Sequence, residues 1–350
     1  MLRTIALGAG ATALLLATPA IAHHPSGAGA AGGAGPIVTT PAETPEKGHR
    51  SAAVVFEYLN FKALSDAVLA TAGHPHSLDA ILAPSFVYAY GVTDNLTLSL
   101  RLPFIRRTGI REGHVHGGVP EIHELGDSAG IGDLSLLAQY RFFYDRAAGL
   151  HLALLAGVTL PTGDTSVSAI GGERFETEFQ PGSGAWEGSV GLALTKRLGA
   201  WSLDANVLYV LATEGTQDTN LGDRFQYNVA LSYRLTGALS GPAGLPAPMY
   251  HGGPKAHHGH KHAHEEAAPP KGPALDLVLE LNGEWHDNQR IAGATDANSG
   301  GNVVLLSPGL RLSYEKWSGF VSFGVPVASE LNGLQAEPDW RVLTGMSINF

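Results

Sequence analysis

The sequence predicts an all-β fold: a transmembrane antiparallel up-and-down β-barrel of about 12 strands, preceded by a cleaved signal peptide. Three observations carry this reading. Apolar and polar residues alternate with a period of two along most of the chain, which is the pattern of strands rather than helices. The alternating segments run to ten or more residues, longer than the ~5–6 usual in soluble sheets and close to the ~9–11 that a tilted strand needs to cross a bilayer. The connections between them alternate short and long, as they do in outer-membrane barrels.

The chain opens with a short basic stretch, Met1-Leu2-Arg3, an apolar run from Ile5 to Ala17, and the small-x-small triplet Ala20-Ile21-Ala22. These are the parts of a secretory signal, and the apolar run is too short to span a membrane as a helix. Cleavage after Ala22 would free His23-His24-Pro25, and loss of Arg3 would take the net charge from −10 to −11. An acidic chain lacks the basic face that nucleic acid requires, so no nucleic-acid partner is expected. There is no cysteine, so an exported chain of this kind is ordered by hydrogen bonding and burial alone. The leader 23–50 is rich in Gly, Ala and Pro and is not expected to fold by itself. It is read as flexible, and two places are open to it, the periplasm or the barrel lumen.

The strands are expected at about 51–61, 79–92, 95–105, 131–143, 149–160, 185–197, 200–212, 223–236, 274–286, 302–314, 317–327 and 339–350. "WSLDANVLYVLA" is representative: Trp201, Leu203, Ala205, Val207, Tyr209 and Leu211 share one face, and Ser202, Asp204 and Asn206 take the other. In a barrel the first face meets lipid and the second lines the lumen. All five tryptophans, Trp186, Trp201, Trp285, Trp317 and Trp340, fall near strand ends, where an interfacial girdle belongs. A closed barrel also leaves no unpaired edge for hydrocarbon to meet. Short turns are expected at Thr93-Asp94, Tyr144–Ala148, Gly199 and Glu315-Lys316, on the periplasmic side. Long outer loops are expected at 62–78, 106–130, 161–184, 213–222, 287–301 and 328–338. The chain ends at Phe350, in phase with the apolar face of the last strand, as outer-membrane proteins do when read by the assembly machinery. The domain plan is thus a signal at 1–22, the leader at 23–50, and a barrel at 51–350 with an insertion at 237–273.

Four stretches, "AYGVTDNLTLSLRLPF" (89–104), "GIGDLSLLAQYRFF" (130–143), "GVTLPTGD" (157–164) and "QPGSGAWEGSVGLALTKRLG" (180–199), together resemble the outer-membrane transporter family named for the meta-pathway of phenol degradation. The resemblance would cover most of the mature chain. It implies a channel or transporter in the outer membrane of a Gram-negative bacterium. Its name hints at an aromatic or otherwise hydrophobic solute.

A 12-stranded barrel lies between the ~8 strands that side chains can fill and the ~16 that leave a wide water channel. The lumen face is expected to carry Arg101, Arg141, Arg224, Arg234, Arg311 and Arg341, with Asp133, Asp204, Asp276, Glu280 and Glu284. Such mixed charge either orients small polar solutes or pairs off and plugs the lumen. Strands one and two are ambiguous in phase and leave room for an apolar lane.

Histidine defines the alternative reading, a barrel for divalent metal uptake or sensing. His251, His257, His258, His260, His262 and His264 cluster between strands eight and nine, flanked by Pro and Gly, as a periplasmic appendage. A flexible run of this kind can wrap Zn²⁺, Cu²⁺ or Ni²⁺ weakly, without preset geometry. A second group, His114, His116 and His123 with Glu112, Glu121 and Glu124, is expected in the outer loop 106–130. Only His151 and His286 are expected inside strands. The acidic "GERFETEF" (172–179) reads as a solvated outer surface. No cofactor is required, and no nucleophile stands beside an oriented base to suggest an enzyme. The expected partners are outer-membrane lipids and a small-molecule solute.

Overall fold

The computed structural model describes residues 35–71, 75–116, 119–237 and 272–350. Twelve antiparallel strands close into one barrel. They are β1 Arg50–Lys62, β2 Ala80–Leu82 continued by Ser85–Thr93, β3 Leu96–His116, β4 Val119–Ile131 continued by Leu134–Asp145, β5 Leu150–Leu160 and β6 Glu187–Leu198. Then follow β7 Trp201–Ala212, β8 Arg224–Thr236, β9 Ala274–His286, β10 Gly301–Tyr314, β11 Trp317–Leu331 and β12 Glu337–Asn349. Each strand pairs with its neighbour in sequence, and β1 closes on β12 in a ladder from Ser51↔Asn349 to Lys62↔Glu337.

The period-two pattern sorts the faces as barrel physics requires. Val54, Phe56, Leu98, Leu154, Leu192, Leu203, Val229, Leu279, Leu310 and Val321 all point outward and are exposed, although large and apolar. Only a hydrocarbon surround makes that arrangement favourable. The alternate residues, such as Asp204, Glu280, Arg311 and Arg341, are buried on the inside.

Two strands are interrupted. β2 breaks at Ala83-Pro84, where proline has no N–H for the ladder, and Phe104 N–H bonds to Pro84 O instead (2.8 Å). β4 breaks at Gly132-Asp133, with Gly132 N–H turned to Pro103 O (2.8 Å). Above that break β4 pairs with β3 alone, from Phe104↔Ile131 to His116↔Val119. The stretch expected as a long loop at 106–130 is therefore a β-ribbon rising out of the barrel. Its sequence was too polar to read as a strand: beyond Ile110 the ribbon packs polar residues such as Arg111, Glu112 and His114 against its neighbours, and its outer edge is wet, so no apolar period appears. The ladder between β11 and β12 spans Trp317–Gly324 and Arg341–Ile348 and stops there.

The described part of the leader is not loose. Residues 35–49 enter the lumen, and residues 35–40 are all buried. The chain then turns at the periplasmic rim, where Lys47 N–H bonds to Asp94 Oδ1 (2.9 Å) and Gly48 N–H to Gly91 O (2.7 Å), and begins β1.

Candidate functional site: a plugged lumen under a capped mouth

The leader crosses the lumen without joining any sheet, so side chains must satisfy its backbone. Glu280 on β9 is 1% exposed. Its carboxylate accepts the N–H groups of Ile37 (3.2 Å), Val38 (3.0 Å) and Thr39 (3.0 Å). Arg311 on β10 donates to Gly35 O (3.2 Å) and Pro36 O (2.7 Å). Asn206 accepts Thr40 N–H (2.9 Å), Thr195 accepts Ala42 N–H (2.9 Å), and Gln139 donates to Pro41 O (2.8 Å) and Glu43 O (2.9 Å). Glu43 itself pairs with Arg197, and His151 Nε2 lies 3.5 Å from it.

On the other side of the plug the wall is apolar. Ile37 and Val38 pack into a cluster with Ala53 and Val55 of β1, Val87 and Ala89 of β2, Val278 of β9, Phe320 of β11 and Leu343 of β12. The lumen therefore has a polar wall that grips the leader and an apolar wall that the leader covers.

The other charged residues expected in the lumen make local partnerships. Arg224 pairs with Glu187 (2.6 Å), Arg234 with Asp276, and Glu284 accepts Gln226 Nε2 (2.8 Å). Arg341 donates to Asn282 Oδ1 (2.7 Å) and Ser307 Oγ (3.1 Å), with Glu57 at 3.7 Å. Asp204 accepts from Ser202 Oγ (2.6 Å) and from Thr195, while Arg101 donates to Ser85 Oγ (3.0 Å). Two residues stand elsewhere than expected. Arg141 is at the periplasmic turn, bonded to Asp94 O and Asn95 Oδ1 (both 2.8 Å). Asp133 is at the outer rim, where it accepts Gly163 N–H (2.8 Å), Ser183 N–H (2.7 Å) and Ser183 Oγ–H (2.7 Å).

The Asp133 contacts tie together three of the sequence stretches quoted above. Asp164 returns the favour by accepting Ile131 N–H (2.7 Å). A Cβ on Gly163 would lie 2.7 Å from Gly182 Cα, so the two backbones can cross only as glycines. This knot roots the loop 161–184, which then folds over the mouth. Phe175 and Phe179 of the loop pack on Phe61, Leu78, Ile81, Ile105 and Ile110. Buried Arg107 donates to Gln180 O (3.0 Å), and Gln180 bonds back to Val167 and Phe175. A small cavity of about 50 Å³ remains beneath the cap, lined in part by His76, Arg107, Glu178, His286 and Gln289.

The histidines distribute differently from expectation. His251, His257, His258, His260, His262 and His264 lie outside the described residues. His114, His116 and His123 fall in the β3–β4 ribbon rather than a loop, so His151 and His286 are not the only strand histidines. His114 Nε2 is 2.9 Å from Glu112 Oε2, and the His114 and His123 rings are 5.2 Å apart. His123 Nε2 is 3.7 Å from Glu121 Oε2 at the exposed edge of the ribbon.

The ring that gathers the most charge is one the sequence did not single out. His76 Nε2 lies 3.3 Å from Glu112 Oε1 and 3.7 Å from Glu176 Oε2, and its Nδ1 lies 3.2 Å from Glu178 Oε1. Burial alone would lower the His76 pKa. Hydrogen bonds to Glu112 and Glu178, and the charges of Glu178 and Glu176, hold it well above its ordinary value. Burial also acts on Glu112, but His76 and His114 outweigh it and bring that carboxyl down to about 2. Glu176 goes the other way, to about 7, because burial and neighbouring carboxylates outweigh the pull of His76. Two of these carboxylates belong to the "GERFETEF" stretch read as a solvated surface; the loop folds them inward.

Fold and site together define a transmembrane β-barrel with an outward apolar belt, a lumen plugged by its own leader, and a capped outer mouth, a barrel of the Gram-negative outer membrane. The chain belongs to the family described as "Putative MetA-pathway of phenol degradation", whose model matches residues 59–245. No curated protein matches the sequence. Among solved structures it is similar to the COG4313 outer membrane channel from Pseudomonas putida F1, at 16% identity and a TM-score of 0.56, covering 88% of this chain and 97% of that one. The β domain of the Bordetella autotransporter BrkA aligns at 11% identity and a TM-score of 0.40 over 87% of this chain and 100% of that one. The CymD monoaromatic hydrocarbon channel aligns at 10% identity and a TM-score of 0.42, covering 87% of this chain and 89% of that one.

Proposed function

We propose that this protein is an outer-membrane channel for a small apolar solute, aromatic compounds being the class that best suits it, and that the leader plug is its gate. One observation carries the reading. The apolar half of the lumen wall, Ala53, Val55, Val87, Ala89, Val278, Phe320 and Leu343, is covered by Ile37 and Val38 of a segment that makes no strand pairing. Withdrawing that segment would bare an apolar patch on β1, β2, β9, β11 and β12, beside the polar groups that held it. Apolar solutes gain from such a surface roughly 25 cal/mol for each Å² removed from water, whereas a sugar or an ion would find only half its contacts. The opposite wall of buried ion pairs then serves to hold the plug rather than to select charge. The family description, which concerns phenol degradation, points to the same chemistry. The COG4313 outer membrane channel, which shares the fold, supports a channel and names no solute. Nothing in this reading asks the barrel to perform chemistry.

The absence of cysteine makes a direct test clean. Thr195 Oγ1 accepts Ala42 N–H at 2.9 Å, so Ala42→Cys with Thr195→Cys is the pair to tether the plug to β6. In liposomes, uptake of a labelled monoaromatic probe should stop when the pair is oxidised and return on reduction. Equal uptake in the oxidised and reduced forms would refute the gate. Uptake of a sugar of similar size at the same rate would refute the solute class.

A further inference from the structure

We propose that His76, Glu176 and Glu178, backed by Glu112 and His114, form a binding site for a single divalent metal ion of the Zn²⁺ class, which staples the outer cap shut. One ligand atom from each of His76, Glu176 and Glu178 lies within 4.8 Å of the other two. A tetrahedral Zn²⁺ site with bonds of about 2.0–2.2 Å places its ligand atoms about 3.3 Å apart. The Glu176 side chain, at 48% exposed, has room to move toward His76 and Glu178 and narrow that difference.

Three further observations favour a metal over a simple acidic surface. First, the imidazole is set up as a ligand. A metal-bound histidine needs an acceptor for the proton on its second nitrogen; with the ion at Nδ1, beside Glu178 (3.2 Å), Glu112 lies 3.3 Å from Nε2 to take that role. Second, the Nε2 atom is sealed from solvent, so Glu112 rather than water is its partner. Third, the supporting residues are themselves anchored. Glu178 Oε2 accepts Gln289 Nε2 (2.7 Å), whose amide also reaches Asp296 (2.8 Å), and Glu112 Oε2 meets His114 Nε2 (2.9 Å). One imidazole with carboxylate oxygens suits Zn²⁺ or a neighbouring first-row ion better than a soft ion such as Cu⁺.

The residues of the site come from three separate elements: the segment before β2, the β3–β4 ribbon that carries the backing Glu112, and the loop 161–184. An ion there joins all three, so its effect is on closure of the mouth. The site is enclosed by the cap, which separates it from any role as a metal conduit.

The test uses the full chain in detergent, with Zn²⁺ as the probe, and reads both stoichiometry and closure. Arg174 is exposed on the loop, so tryptic cleavage after it, followed by mass spectrometry, reports opening of the cap. In the wild type, Zn²⁺ should slow that cleavage at least tenfold. His76→Gln and Glu176→Gln should each abolish the slowing and lose one bound Zn²⁺ per chain, while the His-rich segment 251–264 contributes the same background to all three proteins. Retained gel mobility of the unheated barrel establishes that the variants are folded. The proposal is overturned if Zn²⁺ gives no protection in the wild type. It is equally overturned if both variants are protected as well as the wild type.

Discussion

Glu280→Ala should unseat the plug, and the size of the effect can be worked from the contacts. The carboxylate takes three consecutive backbone N–H groups, with distances between 3.0 and 3.2 Å, from a side chain 1% exposed. A hydrogen bond to a charged group contributes about 1.5–3 kcal/mol. The three share two oxygens, so we take the lower end for each, roughly 4–5 kcal/mol together. At about 1.4 kcal/mol per tenfold, the ratio of seated to released plug falls about a thousandfold. No ladder bond compensates, because residues 35–46 make no backbone pairing with a strand. Arg311 keeps its grip on Gly35 O and Pro36 O, so release should be frequent rather than permanent. In planar bilayers the variant should show large, long openings where the wild type shows brief or small ones. Glu280→Gln, which keeps one acceptor oxygen and loses the charge, should fall between. The measurement is valid only for protein that runs as a folded barrel on unheated gels. Indistinguishable single-channel records for folded wild type and Glu280→Ala would refute the assignment of Glu280 as the latch.

Other expectations follow from particular contacts. Asp133→Ala removes three acceptor contacts that root the loop 161–184, at about 1–3 kcal/mol for each donor left buried; hydrogen exchange should rise at Gly163 and Ser183 and stay unchanged in β6–β9. Glu187→Gln leaves Arg224 buried without its charge partner, which should lower the unfolding free energy in urea and detergent by about 3–5 kcal/mol. Leu192→Arg puts a cation on the lipid face and should cost about 2–4 kcal/mol if that residue lies near the bilayer midplane; full stability would mean the outward belt does not meet hydrocarbon. Deleting 251–264 should leave heat-modifiable migration unaltered, since the β8–β9 ladder runs unbroken from Arg224↔His286 to Arg234↔Asp276 without it.

How far the sequence could be read depends on what each segment buries. β9 is expected at 274–286 and found there, because Leu277, Leu279 and Leu281 face lipid while Asp276, Glu280 and Asn282 face inward. Alternation of that amplitude suits a strand with one side on hydrocarbon. The same logic fails above the membrane. "REGHVHGGVPEIHE" forms a ribbon whose inner contacts are polar, through Arg111, Glu112 and His114, so its strands carry no apolar period and resemble a loop. The leader offers a different difficulty. "GPIVTTPAE" has no periodicity, and its backbone is satisfied by Glu280, Arg311, Asn206 and Gln139 from four distant strands. Long-range contacts of that kind leave no local mark. His76 stayed hidden for a related reason: its carboxylate partners lie 36, 100 and 102 positions away in sequence, on elements that meet only after the cap folds.

The two closures obey different physics, and that difference bears on what each can do. The plug is held by hydrogen bonds and apolar contact at residues sealed from solvent. On the proposed channel reading, a solute that competes for the apolar residues covered by Ile37 and Val38 displaces it. The outer cap is rooted by backbone crossings at Gly163 and Gly182 but finished by a cluster of ionisable groups around His76, and Glu176 in that cluster is half exposed. Its closure answers to what the external medium contains. On the proposed channel reading both closures lie on the solute's route, so the Glu280→Ala variant should still pass less solute with Zn²⁺ outside than without it. Equal uptake in the two conditions would show that the cap does not lie on the route.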